Sequence, residues 1–325
     1  MSAPIVLCHY GNSPYLPYVF KAMVYSNPDK QVFLLGDSTN EWIGKINGVQ
    51  HIPFETLEYG EELTTFNKVY RLVKGDSSKN IRWINFVFKR WYYVYNFLCS
   101  RDVGDFWHFD SDNMILDSLS RHEHKFNHYD FTEQCNGCCM NGYVSSKDFV
   151  RDYLRKMNQL FTDEAYLDSF KPEMRSYPDH AFTEMSAYCT FRDDEDSAPI
   201  NPVRLNKVVE ASTFDDCICQ KHGMKMELFP NGKETKLIAC SDEGSFFCFP
   251  DDNSAAVRLN SINLSWVPTE LFSVVLAQLI KGPPPESAEP PKDVGSLPTL
   301  TELFCQQYRF KTFFYNAKRW IRRCF

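Results

Sequence analysis

Short apolar runs alternate along the first third of the chain with segments of helical spacing. Residues 4–9 form a compact apolar run that predicts a first strand, closed by the turn Tyr10-Gly11-Asn12-Ser13-Pro14. Residues 15–26 carry apolar side chains at helical spacing and stop at Asn27-Pro28. Residues 31–35 predict a second strand that ends at Gly36-Asp37, and residues 49–54 a third. Residues 81–99 are long and apolar, interrupted by Arg82, Lys89 and Arg90, and predict a helix. The aromatic run Phe106-Trp107-His108-Phe109 predicts a buried strand. Strands separated by helices are the pattern of a parallel α/β sheet.

Further on, residues 137–144 look strand-like, and Ser145-Ser146-Lys147-Asp148 supplies a cap for a helix over 149–161. Residues 181–187 predict a helix for which Asp179 is a candidate N-cap. Residues 236–240 and 245–249 predict a late hairpin, 261–266 another strand and 271–280 a helix. The domain expectation is therefore one α/β domain over 1–280, with a mixed, mainly parallel sheet flanked by helices. The proline-rich stretch 281–299 reads as an extended linker.

Residues 300–325 are basic: Arg309, Lys311, Lys318, Arg319, Arg322 and Arg323 face the single acid Glu302. Leu303, Phe310, Phe314, Ala317, Ile321 and Cys324 recur at helical spacing, so the tail predicts an amphipathic helix. Such a helix binds an anionic membrane surface or docks on the acidic body of its own chain.

Composition narrows the class. The 325 residues are 43% hydrophobic and 15% aromatic, enough for a large core, and the net charge of −7 argues against a general nucleic-acid binder. Residues 1–7 lack a basic lead, and no apolar run reaches bilayer length. With twelve cysteines, reduced thiols in a cytoplasmic compartment are the expectation. Cys135, Cys138 and Cys139, or Cys217, Cys219 and His222, do not make a complete four-ligand zinc framework.

The chemistry concentrates in Asp110-Ser111-Asp112, directly after the aromatic strand. Two carboxylates one residue apart, where a strand breaks into a loop, can turn toward one point. That arrangement suits a hard cation, Mn²⁺ or Mg²⁺, shared with a diphosphate. A calcium loop is excluded because residues 110–123 lack the central glycine. Tyr10, Asp37 and Asp110 all follow predicted strands, where ligands of open α/β sheets bind.

Three segments together resemble a GT-A fold, Asp-x-Asp glycosyltransferase. They are the opening strand Ile5-Val6-Leu7-Cys8-His9-Tyr10, the Lys89-Arg90-Trp91 helix leading into Phe109-Asp110-Ser111-Asp112-Asn113, and Asn141-Gly142-Tyr143-Val144 followed by Tyr177-Pro178-Asp179-His180. The resemblance covers roughly residues 4–270 and implies transfer of a sugar from a nucleotide-sugar donor to a hydroxyl of a glycan or lipid-linked glycan. It implies metal binding by Asp112 and Asp110, and donor contacts from Tyr10, Asp37, Arg90, Asp110, Ser111, Asn141 and Gly142. Asp179 and His180 would face the acceptor, with Asp179 or Glu184 as base in an inverting enzyme. Where relatives carry a late metal-binding histidine this chain has Asn263, so Asn263, His222 or water would complete the metal site. The basic tail would hold the enzyme at the inner face of a membrane. A nucleotidyltransferase acting on sugar phosphates, or a non-catalytic module binding sugar nucleotides or glycans, are the alternatives; no glycine-rich phosphate loop is present for the former.

Overall fold

A computed structural model describes residues 2–194, 199–282 and 297–309. In chain order the strands are β1 (Ile5–His9), β2 (Val32–Gly36), β3 (Val49–Pro53), β4 (Phe106–Phe109), β5 (Asn113–Ile115), β6 (Phe131–Gln134), β7 (Cys139–Val144), β8 (Pro202–Arg204), β9 (Ser212–Phe214), β10 (Met226–Leu228), β11 (Glu234–Lys236), β12 (Ile238–Cys240), β13 (Phe246–Cys248) and β14 (Val257–Asn263). The helices are α1 (Leu16–Ser26), α2 (Glu61–Val69), α3 (Ile81–Ser100), α4 (Lys147–Thr162), α5 (Glu164–Ser169), α6 (Lys171–Ser176), α7 (Glu184–Arg192), α8 (Glu270–Leu279) and α9 (Leu300–Gln307). The chain folds as two compact units that interleave along the sequence. The first holds Met1–Asn12, Lys30–Asp110 and Glu123–Arg204; the second holds Ser13–Asp29, Ser111–His122 and Leu205–Phe325.

The first unit is built on a seven-stranded sheet in the order β3-β2-β1-β4-β7-β6-β8. β3, β2, β1 and β4 run parallel, β7 is antiparallel to both β4 and β6, and β8 is parallel to β6. This is the expected mixed, mainly parallel sheet, flanked by helices. β1, β2 and β4 are buried or nearly so along their length, which explains why they read as continuous apolar runs. α3 packs its apolar face through Trp91, Tyr92, Val94 and Phe97 into a core shared with Val6, Phe33, Phe66 and Tyr153. α4 begins where expected, capped by the Ser146 hydroxyl accepting from the Asp148 N–H at 3.1 Å.

The second unit carries the sheet β12-β13-β14-β5, with β9 added parallel to β14. The expected hairpin is β12–β13, antiparallel with Ile238 opposite Cys248. β14 ends at Asn263, so its predicted extension to residue 266 is too long. β14 pairs antiparallel with β5, placing Asn263 opposite Asn113. Tyr15, at the N-cap position of α1, stacks on Phe272 of α8 with ring centroids 4.7 Å apart.

One helix expectation needs correction. The helix predicted over 181–187 starts at Glu184, with Thr183 at its N-cap position, so Asp179 does not cap it. At the start of the tail, α9 spans Leu300–Gln307, and Tyr308 leaves helical geometry (φ −120°, ψ 46°). Within α9 the buried side chains are Leu300 and Phe304, not Leu303, and Phe304 packs on Phe229 at 4.8 Å. Its start is fixed by a reciprocal bond between Thr299 and Glu302. Residues 310–325, which hold most of the tail's positive charge, and most of the linker lie outside the described residues. Among the described residues no helix is long and apolar enough to cross a membrane.

Candidate active site

The carboxyl ends of β1, β2 and β4 lie at one edge of the first sheet and deliver Tyr10, Asp37 and Asp110 there. Tyr10 is 46% exposed, its ring 5.5 Å from that of Phe86. Asp37 is committed to the turn it ends. Its Oδ2 accepts the Gly11 N–H at 2.6 Å and its Oδ1 the Thr39 N–H at 2.8 Å. Partial burial opposes its ionisation, but the Thr39 hydroxyl, together with these N–H bonds, outweighs it and holds the carboxyl below its ordinary range. Asp37 thereby shapes the loop that presents Tyr10.

Asp110 belongs to a buried charge cluster. Arg90, on the buried face of α3, donates one guanidinium nitrogen to Asp110 and another to Glu184 Oε1 at 3.0 Å. Asn141, in β7, donates from Nδ2 to Asp110 Oδ2 at 3.3 Å. Arg90, Asn141 and Glu184 are all more than nine-tenths buried. Arg90 Nε, Asn141 Oδ1 and Glu184 Oε2 have no hydrogen-bond partner among the described residues. Burial opposes ionisation of Asp110, yet the Arg90 guanidinium prevails and keeps it below the ordinary carboxylate range. Glu184 goes the other way: burial raises it, Arg90 offsets part of the rise, and the Asp110 charge adds to it. The cluster therefore favours the ionised form of Asp110 and disfavours that of Glu184.

Gly142 follows Asn141 with φ +97° and lies opposite His108 of β4. Its left-handed backbone is open to glycine at little cost.

Asp179 and His180 sit in the exposed loop between α6 and α7, while Glu184 is buried at the start of α7. His180 stacks on Tyr177 at 4.8 Å, and its Nδ1 is 3.0 Å from Glu173 Oε1. The loop is tied to Gly75, whose N–H donates to the His180 carbonyl at 2.9 Å. A Cβ on Gly75 would come within 2.3 Å of the Pro178 carbonyl oxygen, so only glycine allows this approach.

In the second unit, Asp112 lies in the loop before β5. Its backbone carbonyl accepts from the Leu264 N–H at 2.9 Å, and its Oδ2 lies 2.7 Å from the Ser265 hydroxyl. The same hydroxyl is 2.6 Å from Asn263 Oδ1. A serine has one hydroxyl proton, so it cannot donate to both oxygens at once. Asn263 Oδ1 also accepts the Ser265 N–H at 2.9 Å; three oxygens, from Asp112, Asn263 and Ser265, thus converge around a single shared hydroxyl proton, a donor set that fits a hard divalent cation. Ser265 escaped the sequence reading; its place two residues beyond Asn263 was the available signal. His222 lies elsewhere in this unit with Nε2 3.6 Å from Asp216 Oδ2, and the Ser111 hydroxyl is 3.4 Å from that of Tyr15.

No protein-family model and no curated protein matches the chain. Solved structures similar to it include the glycosyltransferase GlyE of Streptococcus pneumoniae TIGR4, at 12% identity over 63% of this chain and 45% of that one, with a TM-score of 0.31. Another is the PaToxG glycosyltransferase, at 11% identity over 55% of this chain and 70% of that one, also with a TM-score of 0.31. The chain spans less than half the length of the GlyE structure. At this level of likeness the chemistry must be read from the chain's own residues.

Proposed function

We propose that this chain is a metal-dependent glycosyltransferase, using Mn²⁺ or Mg²⁺ to move a sugar from a nucleotide-sugar donor to a hydroxyl of a glycan or lipid-linked glycan. The observation that carries this reading is the three-oxygen group of Asp112, Asn263 and Ser265, which includes the second acid of the Asp-x-Asp pair. These three residues would hold the cation. When bound, it supplies Lewis-acid stabilisation of the charge on the departing nucleoside diphosphate.

The chain's own groups have distinct tasks in this reading. Arg90 favours the ionised form of Asp110 and orients it, leaving that carboxylate fit to accept from a ribose hydroxyl. Tyr10 offers a ring face to the base, and Asp37 fixes the loop that carries it. Asn141 has a buried, unpartnered amide oxygen to offer the donor sugar, and Gly142 permits close backbone approach there. Glu184, with one unpartnered oxygen and a raised pKa, is suited to accept the proton of the attacking hydroxyl. Asp179 and His180, on their exposed loop, would meet the acceptor. The deciding assay incubates the purified chain with Mn²⁺ and a panel of sugar nucleotides. Turnover of one donor is expected; binding without turnover would mark a non-catalytic module. No donor turned over, with nucleotide binding unchanged in Asp112→Ala, would overturn the reading.

Ser265→Ala removes one of the three oxygens. We expect Mn²⁺ affinity, measured by calorimetry with nucleoside diphosphate present, to fall about 10- to 100-fold with the fold intact. Unchanged affinity would remove Ser265 from the metal site.

The basic tail supports a cytoplasmic enzyme held at the inner face of a membrane, near a lipid-linked acceptor. Because α9 buries Leu300 and Phe304, the segment to remove is 310–325. Loss of flotation with anionic liposomes is expected on its removal; equal flotation of both chains would eliminate the anchor.

A further inference from the structure

Cys135, Asn136 and Gly137 are three successive left-handed residues, with φ of 52°, 58° and 82°. Two of them carry a Cβ, for which this region costs about 1–2 kcal/mol per residue. The turn joins β6 to β7 and is held by the Cys138 N–H, which is 3.1 Å from both the Gln134 and the Cys135 carbonyl oxygens. Its geometry brings Cys135 back over Cys139, next to Asp110. One ligand atom from each of Asp110, Cys135 and Cys139 lies within 4.8 Å of the others. Both cysteines are free thiols. Backbone strain of this kind persists where surrounding structure enforces it, and it concentrates at functional sites.

We propose that Asp110, Cys135 and Cys139 form a binding site for a thiophilic divalent cation of the Zn²⁺ class. The ligand set is unlike the all-oxygen group around Asp112: two sulfurs and one carboxylate select a borderline-soft ion over Mg²⁺ or Mn²⁺. Tetrahedral zinc, with bonds of about 2.3 Å to sulfur and about 2.0 Å to oxygen, separates its ligand atoms by about 3.5–3.8 Å. The group therefore has to close by only about 1 Å, within reach of a side-chain rotation. Three protein ligands leave the fourth position to water. Binding releases the two thiol protons to solvent. Two thiolates and a carboxylate around the dication then leave one negative charge, facing the Arg90 guanidinium that already binds Asp110. The ion would draw on the same carboxylate that Arg90 and Asn141 orient. On the transferase reading above, Zn²⁺ would therefore inhibit by taking Asp110 from the donor.

Co²⁺ is the spectroscopic probe, added to the full reduced chain without donor. A thiolate-to-metal charge-transfer band, displaced by Zn²⁺, is expected. It should be lost in Cys135→Ser, with Zn²⁺ affinity lowered at least about 10-fold, and retained in Cys217→Ser/Cys219→Ser. Cys135 is only half-buried, so its serine variant tests the site even if the buried Cys139→Ser misfolds. Absence of a band, its survival in Cys135→Ser, or its loss only in the Cys217/Cys219 variant would overturn the site. Because no donor is present, that failure would leave the transferase reading standing, and a failed donor assay would leave the zinc site standing.

Discussion

Asp112→Asn is expected to lower donor turnover, as kcat/KM with Mn²⁺, by on the order of 10³-fold, which corresponds to about 4 kcal/mol of transition-state stabilisation. The substitution isolates charge from shape. The Asp112 backbone carbonyl takes the Leu264 N–H at 2.9 Å, an anchor that the substitution leaves in place. An asparagine carbonyl can still accept from the Ser265 hydroxyl, as the carboxylate does at 2.7 Å. What disappears is the full negative charge that a cation needs and that the neutral oxygens of Asn263 and Ser265 cannot replace. Thermal unfolding of the variant should match the parent chain, and Mn²⁺ titration should show the loss directly. Turnover within twofold of the parent chain would mean that Asp112 is a loop acid and nothing more.

The sequence makes the strands of the first sheet legible where burial is two-sided. β1, β2 and β4 are continuous apolar runs because both faces are covered, and α3 is legible because its apolar face is long. β6, with the sequence Phe-Thr-Glu-Gln, was not legible, because its polar residues are buried through specific partners: Glu133 accepts the Tyr188 hydroxyl at 2.6 Å. The three-residue strands β10 and β11 are too short to show a period.

The same division holds at the candidate site. The Asp-x-Asp pair stands out locally, and so do the strand ends before Tyr10 and Asp37. Ser265 does not, because its meaning depends on β14 pairing with β5 and on the turn that follows. Glu184 was legible only as a neighbour of Asp179; its contact with Arg90 joins residues 94 apart, which no periodicity reveals. The interleaving of the two units is equally invisible to composition, since no shift in composition marks the points where the chain changes unit.

The Arg90 cluster should give opposite pH signatures for its two carboxylates. Arg90→Met leaves Asp110 and Glu184 without their shared cation, and a loss of about 3–5 kcal/mol is expected at neutral pH, the cost of a broken buried ion pair. Glu184 has a folded pKa raised above its unfolded value of about 4.3. Its contribution is therefore fully present below that pH and is lost as pH rises through the folded pKa, when a buried carboxylate must ionise. Glu184→Gln does not titrate, so its Tm should gain on that of the parent chain as pH rises across this window. Asp110 has a depressed folded pKa, so its contribution is present above about pH 3.9 and is lost as pH falls through the folded value. The deficit of Asp110→Asn should accordingly shrink toward acid, the reverse of the Glu184→Gln trend. Thermal unfolding of the three variants and the parent chain across about pH 3 to 8 separates these cases. A Tm difference for Glu184→Gln that stays flat over that range would show that folding leaves the Glu184 pKa unshifted, and the raised proton affinity that suits Glu184 to accept the acceptor proton would be absent.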